Sequence, residues 1–304
     1  MKKSGVVLLA TILMLIVIGV LISVSLGLVQ RSLDRLNNIR SDGQTIMMIK
    51  SAKGILEHYF SSISTTEDFD KMVQYPIEVN DTASDVVFYL SIEPLQSKLN
   101  INSIIDLNSS NKIDTSGVFE TLTNEYHIKD SHLLIDMIAD TIDTDFNERS
   151  TGSEIVIENP DYKNGRIESM EQWMSLINIY VSKSGDTTIF KIPWRDILVF
   201  EGEKIDFNYV SPLVLHLIFP TLDNDTVYRL TTNRLHPFNN FSELGIEGVI
   251  SQQNFDIFFC FFNKNNSYLV KSRLSFDIKG VQDTAKFNYN VGKKIVSNVQ
   301  LHTF

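Results

Sequence analysis

The sequence predicts an α+β protein in which a long N-terminal helix, membrane-spanning in its first half, precedes an α/β domain interrupted by an inserted all-helical domain. Three observations predict it. Residues 6–29 are an uncharged run rich in Leu, Ile and Val. A helical period with no proline before Pro76 follows that run. The middle of the chain then reads as helices, and its C-terminal part as strands.

The apolar run has 24 residues, from Val6 to Val29. As a helix it would span roughly 36 Å at 1.5 Å per residue, enough for a hydrocarbon core of about 30 Å. A cleaved signal peptide carries a shorter apolar core, of about 7–15 residues. An anchor is the better reading. Lys2 and Lys3 precede the run and hold the N-terminus in the cytoplasm, so the bulk of the chain lies on the other side.

Beyond the anchor, Leu33, Leu36, Ile46, Ile49, Leu56 and Phe60 fall at helical spacings, extending the helix to about residue 60. Gly43 and Gly54 each weaken it by about 1 kcal/mol relative to alanine. Leu33, Leu36, Ile46 and Ile49 form an apolar stripe beside polar faces, which needs a sheet or a partner to cover it. Asp85–Ile92 is a β-branched and aromatic run bounded by Asn80-Asp81 and Pro94, and reads as a strand. Leu107–Ile179 is mostly helical, with breaks at Asn108–Asn111 and Asn147–Tyr162. Strands are expected at Phe255–Phe262, Ser267–Lys279 and Ala285–Gln300. A short echo also occurs. Leu99-Asn-Ile-Asn102-Ser103 returns as Ile205-Asp-Phe-Asn208-Tyr-Val-Ser211, and Ile167-Glu-Ser-Met-Glu171 as Phe241-Ser-Glu-Leu244. Either two small helical units stack together or the likeness is chance.

Composition narrows the function. The formal charge is −10 with a pI near 5.1, and no Lys/Arg-rich stripe follows the anchor. Nucleic acid is therefore not an expected partner. Cys260 is the single cysteine, so the exported part has no internal disulfide and depends on its core or on bound ions. His58, His127, His132, His216, His236 and His302 lack zinc-ligand spacing, and phosphate-loop and nucleophile-turn motifs are missing. An enzyme is not expected.

The polar constellation that stands out is Asp136, Asp140, Asp143, Asp145 and Glu148, followed by Glu154, Glu158 and Asp161. On a helix, Asp136, Asp140 and Asp143 share one face. Clustered carboxylates repel, and no cation precedes Arg149 in the segment to offset them. Ca²⁺, with six to eight oxygen ligands, would relieve the repulsion. An acidic helix end bathed in water needs no metal at all.

Lys2-Lys3-Ser4-Gly5 is a short basic leader ending in glycine and followed at once by the apolar helix. In this the chain resembles the minor pseudopilin family called general secretion pathway protein K. Most pilins carry Glu at the fifth mature position. Here that position is Ala10, as in the K-type member. The resemblance continues through five strings in the family's order: Lys98–Ile104, Ala139–Asp145, Tyr162–Trp173, Ile205–Leu217 and Lys271–Phe276. Thr141 stands where the family has Trp, and the cysteine pair of some members is missing.

The resemblance implies a pilin-like α/β domain at 61–107 and 194–304, interrupted by an inserted helical domain at 108–193, with 205–250 as a candidate second small helical unit. It implies a leader of residues 1–5 and an N-terminal helix of residues 6–60, of which 6–29 cross the membrane. The prepilin peptidase would cut between Gly5 and Val6 and methylate the new terminus. The protein would stay in the bacterial inner membrane as a single-pass subunit, its C-terminal domain in the periplasm. There it would join other minor pseudopilins at the tip of the type II secretion pseudopilus. The family's calcium sites lie in the helical domain, which singles out Asp140, Asp143, Asp145 and Glu154 as ligands. The alternative is a minor pilin of a type IV pilus or a DNA-uptake apparatus, which shares the leader and helix.

Overall fold

The computed structural model describes residues 30, 43, 46–81, 86–104, 116–278 and 281–303. They divide into two units, Met1–Ile55 and Leu56–Phe304. The leader, the expected membrane span at 6–29, and Leu33 and Leu36 lie outside the described residues. Among the described residues no helix is long and apolar enough to cross a membrane. In the first unit residues 46–55 are helical, Gly54 included, and Ile46 and Met47 are exposed.

The second unit opens with helical residues 56–62 (α1) and a second helix, α2 (Thr66–Gln74). Thr65 and Asp68 start α2 with a reciprocal capping box, which satisfies two of the donors a helix start leaves free. The strands are β1 (Ile77–Asp81), β2 (Val86–Pro94), β3 (Leu99–Asn100), β4 (Leu198–Val199), β5 (Ile205–Asp206), β6 (Phe259–Cys260), β7 (Leu269–Ile278), β8 (Val281–Asn290) and β9 (Ile295–Thr303). β1, β2, β7, β8 and β9 pair in that order as one antiparallel sheet. Its register places Leu90 opposite Leu274 and Leu274 opposite Ala285, with Ile92, Ser272 and Phe287 in the next row. All six are buried, as the period-two alternation of a sheet with one covered face requires. Leu56 and Phe60 of α1, Ile63 just after it, and Phe69 and Met72 of α2 are also buried, and Phe60 stacks on Tyr289 at 5.9 Å between ring centroids.

β2 and β7 are adjacent in space yet separated by residues 95–268. The helical region between them takes in the expected insertion at 108–193 and also the candidate second unit at 205–250. Nearly all its regular structure is helical: α3 (Ile101–Ile104), α4 (Ser116–Tyr126), α5 (Ser131–Ile142), α6 (Ile155–Glu158), α7 (Met170–Ser184), α8 (Trp194–Ile197), α9 (Pro212–Ile218), α10 (Asn224–Thr231) and α11 (Gln252–Phe258). One continuous apolar core joins them, from Leu99 through the edge-to-face pair Trp173–Trp194 to Phe259.

The sequence echo is a structural repeat. Each half begins with a two-residue strand, runs through helices, and ends with a helix leading into a strand parallel to the first: β3 with β4, β5 with β6. In the first half Asn102 clamps Ile167, accepting from its N–H at 2.8 Å and donating to its carbonyl at 2.9 Å. In the second half Asn208 treats Phe238 in the same way, at 2.7 and 2.9 Å. The side chains two residues earlier, Asn100 and Asp206, accept from the N–H groups of Asn102 and Asn208. The helical turns after the clamped residues start alike. Gln172 and Glu243 accept from the N–H groups of Glu168 and Asn239, while Ser169 and Asn240 cap. Ile167 thus corresponds to Phe238, so the second echo runs 71 residues apart rather than the 73 its serines suggest.

Two expected strands differ. Phe255–Phe262 is helical to Phe258, because Ser251 caps the N–H of Asn254 and starts α11; its aromatic residues fill the core around Phe207. Ala285–Gln300 is two strands, β8 and β9, turning at residues 291–294. A Cβ at Gly292 would lie 2.3 Å from the Asn266 carbonyl oxygen, so this close approach of two backbones requires glycine.

Candidate functional site

The acidic segment forms the end of α5 and the loop that follows. Met137, Ile138 and Thr141 face the core, and Asp140, one turn after Met137, is fully buried with them. Asp143 caps the helix C-terminus with extended backbone. The chain returns at α6, which Glu154 caps.

A buried carboxylate requires a countercharge and donors. Asp140 obtains both from the following loop. The Arg149 N–H donates to Oδ2 at 3.0 Å, the Ser153 hydroxyl to the same oxygen at 2.5 Å, and the Arg149 guanidinium to Oδ1. The same guanidinium nitrogen donates to Asp143 Oδ2 at 2.6 Å. Burial alone would lower the Arg149 pKa, but the hydrogen bonds to Asp143 and Asp140 outweigh it and raise the value.

Glu154 is 1% exposed. Its Oε1 accepts from Asn164 Nδ2 at 2.8 Å and from the Val156 N–H at 3.4 Å. Asn164 also reaches the Asp145 carbonyl, at 3.4 Å. The Asp145 side chain is turned away to the N–H of Asn147, and Glu148 accepts from the N–H of Gly152. The structure therefore joins Asp140 and Asp143 through Arg149, places Glu154 next to the Ser153 that bonds Asp140, and leaves the Asp145 carboxylate in solvent. Gly5 and Val6 lie outside the described residues.

The buried oxygens here without a hydrogen-bond partner include Asp143 Oδ1, Ser150 Oγ, Glu154 Oε2 and Asn164 Oδ1. They are hard oxygen donors of the kind Ca²⁺ takes, but they are not gathered around one point. Among the described residues, no three or more His, Cys, Asp or Glu are arranged to hold a metal ion. The Arg149 guanidinium occupies the place between Asp140 and Asp143. Arg149, Ser153 and Asn164 are the partners that the sequence reading passed over. Residue spacing carried no signal for them.

A second buried acid lies where the helical region joins the sheet. Asp206 is fully buried; Tyr268 donates to its Oδ2 at 2.7 Å, and its own N–H donates to the Gln96 carbonyl at 2.6 Å. Burial pushes its pKa up to about 6, against the opposing hydrogen bonds from Tyr268 and Asn208. Beside it, Arg234 contacts Asn208 and Asp70, Tyr209 donates to Asp70 at 3.0 Å, and Phe69 of α2 stacks on Phe262 at 4.0 Å. This joint locks the second repeat to α2.

No family model matches the sequence, and no curated protein matches it. The structure is similar to a chain in the crystal structure of the GspK-GspI-GspJ complex from the enterotoxigenic Escherichia coli type 2 secretion system. The match has a TM-score of 0.60 at 10% identity, over 89% of this chain and 100% of that chain. At that identity the likeness is one of fold: the two chains share an architecture along nearly their whole length.

Proposed function

We propose that the protein is a non-enzymatic minor pseudopilin, acting at the tip of a type II secretion pseudopilus with two or more companion minor pseudopilins. The observation that carries this reading is the likeness in fold to a chain of the GspK-GspI-GspJ complex along that chain's full length. The leader strings support it, as do the exposed Ile46 and Met47, apolar side chains on a helix that a companion helix would cover. A helical region of the size found between β2 and β7 would also obstruct a subunit stacked above, as suits a tip position.

On this reading the prepilin peptidase cuts between Gly5 and Val6, residues 6–29 anchor the protein in the inner membrane, and the rest lies in the periplasm. Ca²⁺ binds the loop of Asp140, Asp143, Asp145 and Glu154. The family resemblance supports that part of the reading; the unpartnered oxygens of Asp143, Glu154 and Asn164 are of the right kind but are not gathered around one point. An ion that binds only the folded loop stabilises it by mass action, by about 2.7 kcal/mol at a hundredfold excess over its dissociation constant.

Deleting the gene tests the role. Proteins normally released by the cell should accumulate in the periplasm. The wild-type chain should restore release, while Gly5→Trp should leave an uncut precursor and not restore it, since the peptidase must approach the backbone closely there. Normal release without the gene would count against the proposal.

A further inference from the structure

We propose that a cleft beside the joint of helical region and sheet binds a neutral sugar ring, which side-chain amides recognise. The cleft has a volume of about 490 Å³, the size of a small-molecule site, and lies between the segment leading into β5 and the one leaving β6. Gln96, Asn263, Asn265, Asn266 and Ser267 line it. Gln96 is the buried member of that set: it is 4% exposed, and its Oε1 has no hydrogen-bond partner. Gly202 makes room for it, since a Cβ there would stand 3.3 Å from Gln96 Cγ, and its φ of +97° suits glycine. A buried carbonyl oxygen without a donor lowers stability until something donates to it.

The chemistry of the lining selects the ligand. Its backbone is already committed: the Asp206 N–H donates to the Gln96 carbonyl, the Asn266 N–H to the Asn263 carbonyl, and the Tyr268 N–H to the Asn266 carbonyl. The Asn265 N–H donates to Asn263 Oδ1. An added peptide strand needs a row of free backbone groups, so recognition here falls to side chains. The charged residues of the lining are one acid and one base, Glu203 and Lys204, and the Lys204 ammonium is held by the Asp256 carbonyl. Such a lining does not select an ion. Each amide instead presents a donor and an acceptor side by side. Adjacent hydroxyls of a sugar ring, each both donor and acceptor, answer that pair, and one of them supplies the donor that Gln96 Oε1 lacks. Phe261 adds apolar surface for the C–H groups of the ring.

Saturation-transfer NMR titration of the full-length chain with D-glucose and with N-acetyl-D-glucosamine, in a detergent that carries no sugar headgroup, tests this. Wild type should bind at least one of the two saturably, and which one binds tells a plain hexose from an N-acetylated one. Gln96→Leu should weaken that binding roughly tenfold, because the ligand loses the acceptor buried in the cleft. Asn266→Ala changes the exposed rim and keeps the backbone bonds; it should also weaken binding, and serves if the Gln96 variant does not fold. Neither inorganic phosphate nor a blocked trialanine peptide should displace the sugar. Absence of saturable binding by both sugars, equal affinity in wild type and both variants, or displacement by phosphate or by the peptide would overturn the proposal.

Discussion

Asp206 shows what one side chain contributes at the joint between sheet and helical region. Its folded pKa is raised to about 6, so the favourable contribution is fully present below the unfolded value near 3.8 and is lost as pH rises through about 6. Lowering pH from 7 to 5 should therefore stabilise wild type relative to Asp206→Asn by about 1 kcal/mol. Denaturant unfolding of both proteins at the two pH values measures it, and a pH-independent difference would show that Asp206 does not titrate in that window. Such a residue was hard to find in the sequence. Aspartate beside Phe207 reads as an ordinary turn, and only its place in the repeat, opposite Asn100, marks it. The acidic run of α5 was legible as a cluster. Its neutralisation by Arg149 was not, because a loop's return path is not written in residue spacing.

At the scale of elements, the Asn102 and Asn208 clamps tie distant segments together through the backbone of Ile167 and Phe238. Removing either side chain leaves an N–H and a carbonyl without their partner, at about 1–3 kcal/mol for each group that stays buried. Asn208→Ala should cost more than Asn102→Ala: Asn208 is the more buried, and Arg234 also loses its acceptor there. Denaturant midpoints at unchanged slope measure the two losses; the reverse order would contradict the repeat as described. Both clamps stood in the sequence as short Asn-containing strings, too brief to separate from chance until the hydrogen bonds aligned them. The strand β2 and the long β7 were legible from β-branched alternation. α11 was not, since a run of phenylalanines scores as strand while a serine cap decides for helix. The turn between β8 and β9 depends on Gly292 meeting the backbone of Asn266, a contact between distant segments that no local pattern announces.

At the scale of the molecule, a five-stranded antiparallel sheet is opened between β2 and β7 to admit a doubled helical region, and a helix with exposed Ile46 and Met47 precedes it. The α+β class and the presence of an insertion were readable from the order of periodicities along the chain. That the candidate unit at 205–250 joins the same insertion was not, because β3 to β6 are two-residue strands inside a helical core. The central claim is that this chain assembles with companion minor pseudopilins. Its most direct test is cross-linking of the full-length protein in its native membrane, followed by mild detergent extraction and mass spectrometry of the isolated complex. The account predicts a discrete complex with at least two smaller proteins, each processed after a short basic leader ending in glycine, and cross-links reaching the exposed face around Ile46 and Met47. Recovery of the chain alone, with no such proteins attached, would contradict it.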